Sequence, residues 1–376
     1  MILRIVRSWG FLPALLILAA LLYWKFHSVP SKVIAIGYVA DRDVTLWNTL
    51  AQVREPVAEA HYGDRVEIMR VEGAAAQVRT PSGVLGWMND SRQMMDSDLW
   101  GKSAALLERS RKLPVQARGR TKAVSNVRVE PGRDGKRIFQ FMRGTPVLIL
   151  ERAVADAPQG AEDNSQEEKA DSTEEQKPKQ EDWLLVLRAE DSTASNTPSA
   201  GAGSAEVKPA TGDTVSSGPL AAHAGLVAAG GPGGIVGGWV LARFVELDLP
   251  GPVKDYASSA DLHVVAWFEL NRVPNGAGGQ APQYLVAGSH GGEGQSCDFT
   301  MLRVYTWSIT QKRYETAYVE SDLCGQLPID VTRSPTGAEF HFANNGRNPA
   351  ESRYVMHQSV VRRVTKKSAA PSSSHR

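Results

Sequence analysis

Apolar and polar residues alternate through most of this chain, a pattern typical of half-buried β-strands. The alternation is clear between residues 64 and 80, where the apolar positions are Val66, Ile68, Val71, Ala76 and Val78. Glycine-containing turn signals, at Gly63, Gly73 and Gly83, separate the successive strands. The pattern therefore predicts a mainly β protein.

The order of strands and turns occurs twice. The first copy lies within residues 33–98 and runs from VIAIGYVADRDVTLWN through YGDRVEIMRVEG and AAQVRTPSG to VLGWMND. The second copy lies within residues 122–250 and runs from SNVRVEPGRDG through RGTPVLIL and DWLLVLRAE to GGWVLARFVEL. Each copy closes on Gly-Trp followed by an apolar residue, at Trp87 and at Trp239. The repetition predicts two domains of one architecture.

These motifs resemble the bacterial SH3-like domain, often called SH3b. The resemblance implies two small SH3-like β-barrels in an exported protein of the cell envelope. The first copy departs from the family because TLWN stands where the family has Asn or Val, Arg and Ser before a Gly-Pro turn. This departure leaves the family's binding groove without its usual residues in the first copy.

Five aromatic residues of the two copies are candidate ligand-binding residues, because exposed aromatic rings mark binding surfaces. They are Trp47, Tyr62, Trp87, Trp183 and Trp239. The alternative is that these rings pack inside the barrels, as large aromatic residues between strand residues do.

Two long insertions interrupt the second copy at hairpin positions. The first, at about 155–181, is acidic, and the second, at about 190–234, is rich in Gly, Ala and Ser. Neither has enough large apolar residues to build a core, so both are predicted to be disordered. Residues 99–121 are basic and are predicted to form a helical linker that ends at Pro114. The acidic insertion either stays solvated or docks on this linker.

The third region, residues 258–365, alternates throughout and predicts a C-terminal β-sandwich-like domain. Its clearest element is the predicted hairpin RVYTWSITQKRYETAY, which turns at Thr310, Gln311 and Lys312. The small, polar tail at 366–376 is predicted to be disordered.

Cys297 and Cys324 are the two cysteines of the chain. In an oxidising compartment they form a candidate disulfide, and closing such a loop contributes about 3 to 4 kcal/mol on the chain-entropy model. The alternative is that Cys297 is a nucleophile with His341 as its base, since QSCDFTMLRVY bears some resemblance to the surroundings of the cysteine in wall-cleaving peptidases. That likeness fails in detail, because Asp298 follows the cysteine instead of preceding it and a strand pattern follows where the family has a helix. The spacing of the histidines and carboxylates predicts no metal site and no cofactor.

The N-terminus, residues 1–32, is predicted to be a signal anchor with a transmembrane helix at about 8–26. An uncharged run of about 17 residues lies between Arg7 and Lys25, and forms a helix of about 25 Å. Bulky residues stand where a signal peptidase would cut, which favours an uncleaved anchor over a cleaved signal. A buried helix of a soluble domain is the third alternative. The positive N-terminus predicts a single-pass protein whose C-terminal part is extracytoplasmic, in the periplasm.

A net charge of +1 gives no basic field for nucleic acid. These observations predict a non-enzymatic, membrane-anchored binding or scaffold protein of the cell envelope. Its expected partner is another envelope protein or peptidoglycan. The alternative function is a cysteine peptidase-like wall hydrolase that uses Cys297 and His341, and an extracytoplasmic sensor is a third possibility.

Overall fold

The computed structural model describes residues 32–157, 179–188, 236–335, 337–346 and 349–364. Within these ranges the chain is mainly β, with four antiparallel sheets and two α-helices. The chain forms two compact units that divide between Asp96 and Ser97. Residues 40–42 and 61–63 are exceptions, because they belong with the second unit. Each unit is described separately below.

The first repeat is a seven-stranded antiparallel sheet. Its strands are β1 (Ala35–Val39), β2 (Asp43–Trp47), β3 (Pro56–His61), β4 (Arg65–Glu72), β5 (Ala75–Arg79), β6 (Leu85–Met88) and β7 (Met94–Met95). The strand order is β3-β2-β6-β5-β4-β1-β7, and a single 3-10 turn at Ser91–Gln93 precedes the last strand. Val44, Leu46, Val66, Val78 and Met88 are among the residues that form its core.

The second repeat follows helix α1 (Ser97–Ser110) and has the same design. Its strands are β8 (Ala117–Thr121), β9 (Ser125–Arg128), β10 (Arg137–Phe141), β11 (Pro146–Asp156), β12 (Gln180–Arg188), β13 (Gly237–Leu241) and β14 (Val245–Leu247). Their order is β10-β9-β13-β12-β11-β8-β14, which matches the first repeat strand for strand. A 3-10 turn at Ala242–Phe244 again precedes the last strand.

The shared Gly-Trp motif has a steric basis in both repeats. A Cβ atom on Gly86 would lie 2.7 Å from Cβ of Leu46 on β2. A Cβ atom on Gly238 would lie 2.5 Å from Cγ1 of Val127 on β9 and 2.8 Å from the carbonyl oxygen of Arg128. In each repeat the glycine therefore lets the sixth strand approach the second strand more closely than any side chain permits.

The boundaries of the second repeat differ from the sequence-based ones. Residues 117–121, predicted to end the linker, form β8 because they pair with β11 and β14. Residues 155–156 and 180–181, predicted to be disordered, extend β11 and β12, where Asp156 pairs with Gln180. Residues 158–178 of the acidic insertion and the whole of the predicted insertion at 190–234 lie outside the described residues.

The C-terminal sandwich consists of two four-stranded sheets. The first contains β15 (His263–Pro274), β16 (Gln280–Ser289), β17 (Met301–Ser308) and β18 (Arg313–Glu320), and the second contains β19 (Gly325–Ser334), β20 (Gly337–Asn344), β21 (Ala350–His357) and β22 (Val360–Arg363). Both sheets are meanders in sequence order. Phe268, Phe299, Phe340 and Tyr354 are among the buried residues between them.

Helix α2 (Gly251–Ser259) covers part of the outer face of the first sandwich sheet. Its buried residues Val253 and Ala257 pack with Val264, Tyr284 and Tyr305. This helix was not predicted, and its last two residues fall inside the range assigned to the C-terminal β-domain.

Two predictions for this domain are confirmed. The predicted hairpin is formed by β17 and β18, which pair from Leu302 with Glu320 to Ser308 with Arg313. Cys297 and Cys324 form a disulfide, with their Cα atoms 4.8 Å apart. The tail at 366–376 lies outside the described residues.

The sequence-based fold class and location need a correction. Neither helix in the described part of the chain is long and apolar enough to cross a bilayer. The predicted span, residues 8–26, and the whole segment 1–31 lie outside the described residues, so the assignment as a single-pass membrane protein has no support and is withdrawn.

Candidate functional site

Gln116 joins the second repeat to the C-terminal sandwich through a fully buried side chain. Its Nε2 donates to the carbonyl oxygens of Pro114 and Ile329 at 2.9 and 3.2 Å, and its Oε1 accepts from the Ile329 amide at 2.7 Å. The Gln116 carbonyl accepts from the Trp267 amide at 2.9 Å, and its amide donates to Ile149 at 2.8 Å. One residue thus hydrogen-bonds to β11, β15 and β19.

Arg152 forms a second buried connection between the same two domains. Its guanidinium lies 2.6 Å from Asp182 of the repeat and 2.9 Å from Asp298 of the sandwich, and it donates to the Gln295 carbonyl at 3.0 Å. The second carboxylate oxygen of Asp298 accepts from the Leu327 amide at 2.7 Å. Burial nevertheless raises the pKa of Asp298 above its usual range. The charges are buried but paired, as buried charges must be.

A groove of about 550 Å³ lies beside the Gln116 connection. Its wall residues come from the segment before β8, from β8 itself and from β15 and β19, and include Pro114, Val115, Arg118, Trp267, Glu269 and Arg333. The volume is within the range of about 300–1,000 Å³ that small-molecule sites occupy. Because hydrogen bonds of Gln116 fix the strands on either side, the groove is preformed.

Two arginine side chains line the groove, and the rest of its lining is part polar and part apolar. Arg118 and Arg333 are exposed, and the charge of Glu269 is offset by Arg272, whose guanidinium lies 2.8 Å from it. The Nε of Arg333 donates to the Glu269 carbonyl at 2.6 Å, which holds its side chain at the groove. The indole Nε1 of Trp267 is buried and has no hydrogen-bond partner among the described residues. The groove therefore offers two cations and one spare donor.

The predicted aromatic residues of the first repeat occupy neighbouring strands. Trp47 on β2 and Trp87 on β6 are directly paired across the sheet. Trp87 is buried, whereas Trp47 is half-buried and has the Arg54 guanidinium 4.3 Å from its ring centroid. That guanidinium also donates to Asn89 at 2.6 Å, so the ring is partly covered by an anchored side chain.

The predicted aromatic residues in the second unit are also largely enclosed. Trp183 on β12 and Trp239 on β13 are 2% and 6% exposed, and packing rather than binding is the role that such burial favours. Tyr62 belongs with this unit, where its ring lies edge-on to Trp100 and Phe139. Ligand binding by the five predicted residues stays a prediction, and none of the five lines the groove.

Cys297 and His341, the residues of the hydrolase alternative, have other partners in the structure. The sulfur of Cys297 is bonded to Cys324, and the described chain holds no free cysteine. His341 lies on β20, where its Nε2 is 3.6 Å from carboxylate oxygens of Asp330 and Glu351. A thiolate nucleophile is therefore not available in this state.

Sequence reasoning missed the residues that form the groove. Trp267 stands in the strand pattern HVVAWFEL, where its position between the buried Ala266 and Phe268 predicts the opposite, outer face. That signal separates Trp267 from the core but does not identify a groove, because Arg118 and Arg333 lie more than two hundred residues apart in the chain.

Comparisons with known proteins add no family. No family model and no curated protein matches this chain. Among solved structures, a NlpC/P60 family protein from Bacillus cereus ATCC 10987 aligns with 60% of this chain and 62% of its own length, at 12% identity and a TM-score of 0.20. The alignment thus spans less than two thirds of that protein, and a similarity this low carries no argument about fold or function.

Proposed function

We propose that this protein is a non-enzymatic binding protein of an oxidising compartment, and that it holds an extended, acidic segment of a partner protein in the groove beside Gln116. The observation that carries the proposal is the preformed groove, with Arg118 and Arg333 on its rim and Trp267 in its wall. The sequence resemblance of the two repeats to SH3-like domains, which act as binding modules, also favours a binding role.

The chemistry of the groove favours an acidic peptide over a neutral or basic one. Arg118 and Arg333 supply guanidinium groups, which form strong, geometrically specific hydrogen bonds with carboxylates. The apolar surface of Val115 and Trp267 accommodates the side chains between the acidic residues. A backbone carbonyl of an extended segment is the acceptor that the Trp267 indole lacks.

The disulfide supports binding over hydrolysis. The alternative function needs an ionised thiol at Cys297, and an S–S bond removes it. Stable disulfides are typical of proteins that fold outside the reducing cytosol, which supports the proposed compartment.

The test is a titration of the full-length protein with a short peptide in which Glu and Val alternate. Isothermal titration calorimetry measures the affinity at low and at physiological salt. We expect binding that weakens with salt, because exposed guanidinium groups contribute through screened charge. Trp267→Ala should weaken binding by about thirtyfold, the effect of losing about 2 kcal/mol at a central aromatic contact. Arg118→Gln with Arg333→Gln should remove most of the salt dependence.

Two controls make the test decisive. The same peptide with Lys in place of Glu should not bind, and Trp307→Ala, at a partly exposed tryptophan outside the groove, should leave the affinity unchanged. Equal binding of the two peptides, or an unchanged affinity in Trp267→Ala, would refute the proposal. Binding to peptidoglycan in place of the acidic peptide would favour the other predicted partner.

A further inference from the structure

The end of the C-terminal sandwich contains a second cavity, separate from the groove. Its volume is about 730 Å³, and it is lined by residues from β15 to β18 and from the turns that follow β19 and β21. The side chains that matter for binding are Asn271, Arg272, Gln283, Thr306, Trp307 and Glu315. No residue of the proposed groove is among them, so this cavity does not depend on the proposed function.

Gln283 lies in the wall of this cavity with an unsatisfied acceptor. The residue is fully buried, and its Nε2 donates to the Gln358 carbonyl at 3.0 Å and to Oγ1 of Thr306 at 2.8 Å. A carbonyl can only accept, so the contact with Gln358 fixes which end of the amide carries the nitrogen. The opposite atom, Oε1, is buried without a partner among the described residues. A buried acceptor left in this state costs free energy, and a hydroxyl donor would remove that cost.

Trp307 gives the same cavity an apolar surface. Its indole Nε1 donates to the Asn275 carbonyl at 3.2 Å, so its polar atom is already satisfied. The ring lies edge-on to Tyr314, with 5.3 Å between the ring centroids, and it is partly exposed. A ring that is held in place and open to the cavity can pack against the C–H groups of a ligand.

The charges in the cavity cancel. Arg272 is paired with Glu269 at 2.8 Å, and Glu315 lies 3.6 Å from Arg313. The lining therefore has polar donors and acceptors without an excess of either charge. That balance disfavours a phosphate or a strongly ionic ligand, and it favours a neutral ligand rich in hydroxyl groups.

We infer that this cavity is a saccharide-binding site. A sugar hydroxyl would donate to Oε1 of Gln283, and further hydroxyl groups would donate to the Glu315 carboxylate and hydrogen-bond with the Asn271 amide. The C–H face of the sugar ring would pack on Trp307. A cavity of this size falls in the range of about 300–1,000 Å³ that is usual for small ligands. Oε1 of Gln283 lacks a hydrogen-bond partner among the described residues, and Asn271, Trp307 and Glu315 are partly exposed.

The experiment is saturation-transfer NMR on the full-length protein with two neutral probes, cellotetraose and the tetramer of N-acetylglucosamine, at millimolar concentration. We expect transfer to at least one probe and a fluorescence change on titration. Trp307→Ala should weaken the affinity at least tenfold, and Glu315→Gln should weaken it less, because the amide still accepts a hydrogen bond. Trp267→Ala is the matched control and should leave sugar binding unchanged.

Two results would overturn the inference. The first is the absence of transfer to both probes, and the second is an affinity of Trp307→Ala for the probes equal to that of the wild type. Circular dichroism should show that both tryptophan variants remain folded. Because the groove is probed by a peptide and Trp267, and this cavity by sugars and Trp307, failure of one proposal is distinguishable from failure of the other.

Discussion

Gly238 lies where β13 passes close to β9. The lack of room for a side chain there explains the glycine of the repeated Gly-Trp motif. A Cβ at this position would lie 2.5 Å from Val127 and 2.8 Å from the Arg128 carbonyl. One of these atoms belongs to the backbone, so the neighbouring strand would have to move. The following residue, Trp239, then fills the core of the second repeat.

Gly238→Ala should therefore destabilise the protein by about 1 to 3 kcal/mol, the usual cost of overpacking a core. The measurement is the free energy of unfolding in urea. Gly101→Ala is the control, because its Cβ would meet no atom within 4 Å and alanine favours the helix in which it lies. If Gly238→Ala unfolds at or above the wild-type midpoint, the steric account of the motif is wrong.

Single residues were predictable where their role is local. The Gly-Trp motif and the two cysteines carry their signal within a few neighbours or in their number. Gln116, Arg152 and Gln283 carry none, because polar residues are usually exposed and their burial results from partners far away in the chain.

At the scale of elements, the disulfide connects the chain before β17 with the chain before β19. Phe299 and Gly325, close to the two cysteines, form an isolated β-bridge. The cross-link therefore holds both ends of the segment that contains the β17–β18 hairpin. The sequence separation of the two cysteines is 27 residues, which sets the size of the loop that the bond closes.

Replacing both cysteines by serine should lower the free energy of unfolding by about 3 to 4 kcal/mol, because the unfolded chain regains the entropy of that loop. Chemical denaturation with and without reductant provides the measurement. Wild-type protein should lose stability in reductant, whereas the double variant should be insensitive to it. A double variant as stable as the oxidised wild type would show that the bond has no structural role.

The strictly alternating segments correctly predicted strands, but the first and last residues of some strands were not predicted. The hairpin at residues 303–318 was predictable because both strands and the turn are local. Residues 117–121 were assigned to a linker because their arginines resemble a basic surface, yet pairing with β11 and β14 makes them a strand. Residues 155–156 and 180–181 were hidden in the same way by their acidic neighbours.

At the scale of the second unit, two buried connections hold the second repeat to the C-terminal sandwich. Gln116 supplies a neutral connection, and Arg152 with Asp182 and Asp298 supplies a charged one. Neither could be predicted, since Arg152 and Asp298 are 146 residues apart and Gln116 and Ile329 are 213 apart. The proposed groove requires rigid walls, and these two connections hold the domains that form its walls in place.

Arg152→Met should cost about 3 to 5 kcal/mol, because it leaves two buried carboxylates without their cation. The pKa of Asp298, already raised by burial, should rise further. A carboxyl group whose pKa is higher in the folded state than in the unfolded state contributes stability at low pH, and loses it as pH rises through the folded pKa. The variant should therefore be more stable at pH 5 than at pH 8, relative to wild type.

The measurement is urea unfolding of both proteins across that pH range. Arg120→Met is the control, since Arg120 and its partner Asp248 are both exposed and should contribute at most about 1 kcal/mol. A pH-independent difference between Arg152→Met and wild type would contradict the assignment of Asp298 as the group that responds.

In each repeat the first and the last strand are neighbours in the sheet. In the first repeat Tyr38 of β1 pairs with Met95 of β7, and in the second Gly119 of β8 pairs with Leu247 of β14. A segment whose two ends meet can be copied in tandem without a long connecting chain. Each repeat thus has the geometry of a domain that can be duplicated in tandem. Duplication of one ancestral domain would account for a chain that carries the same strand order twice.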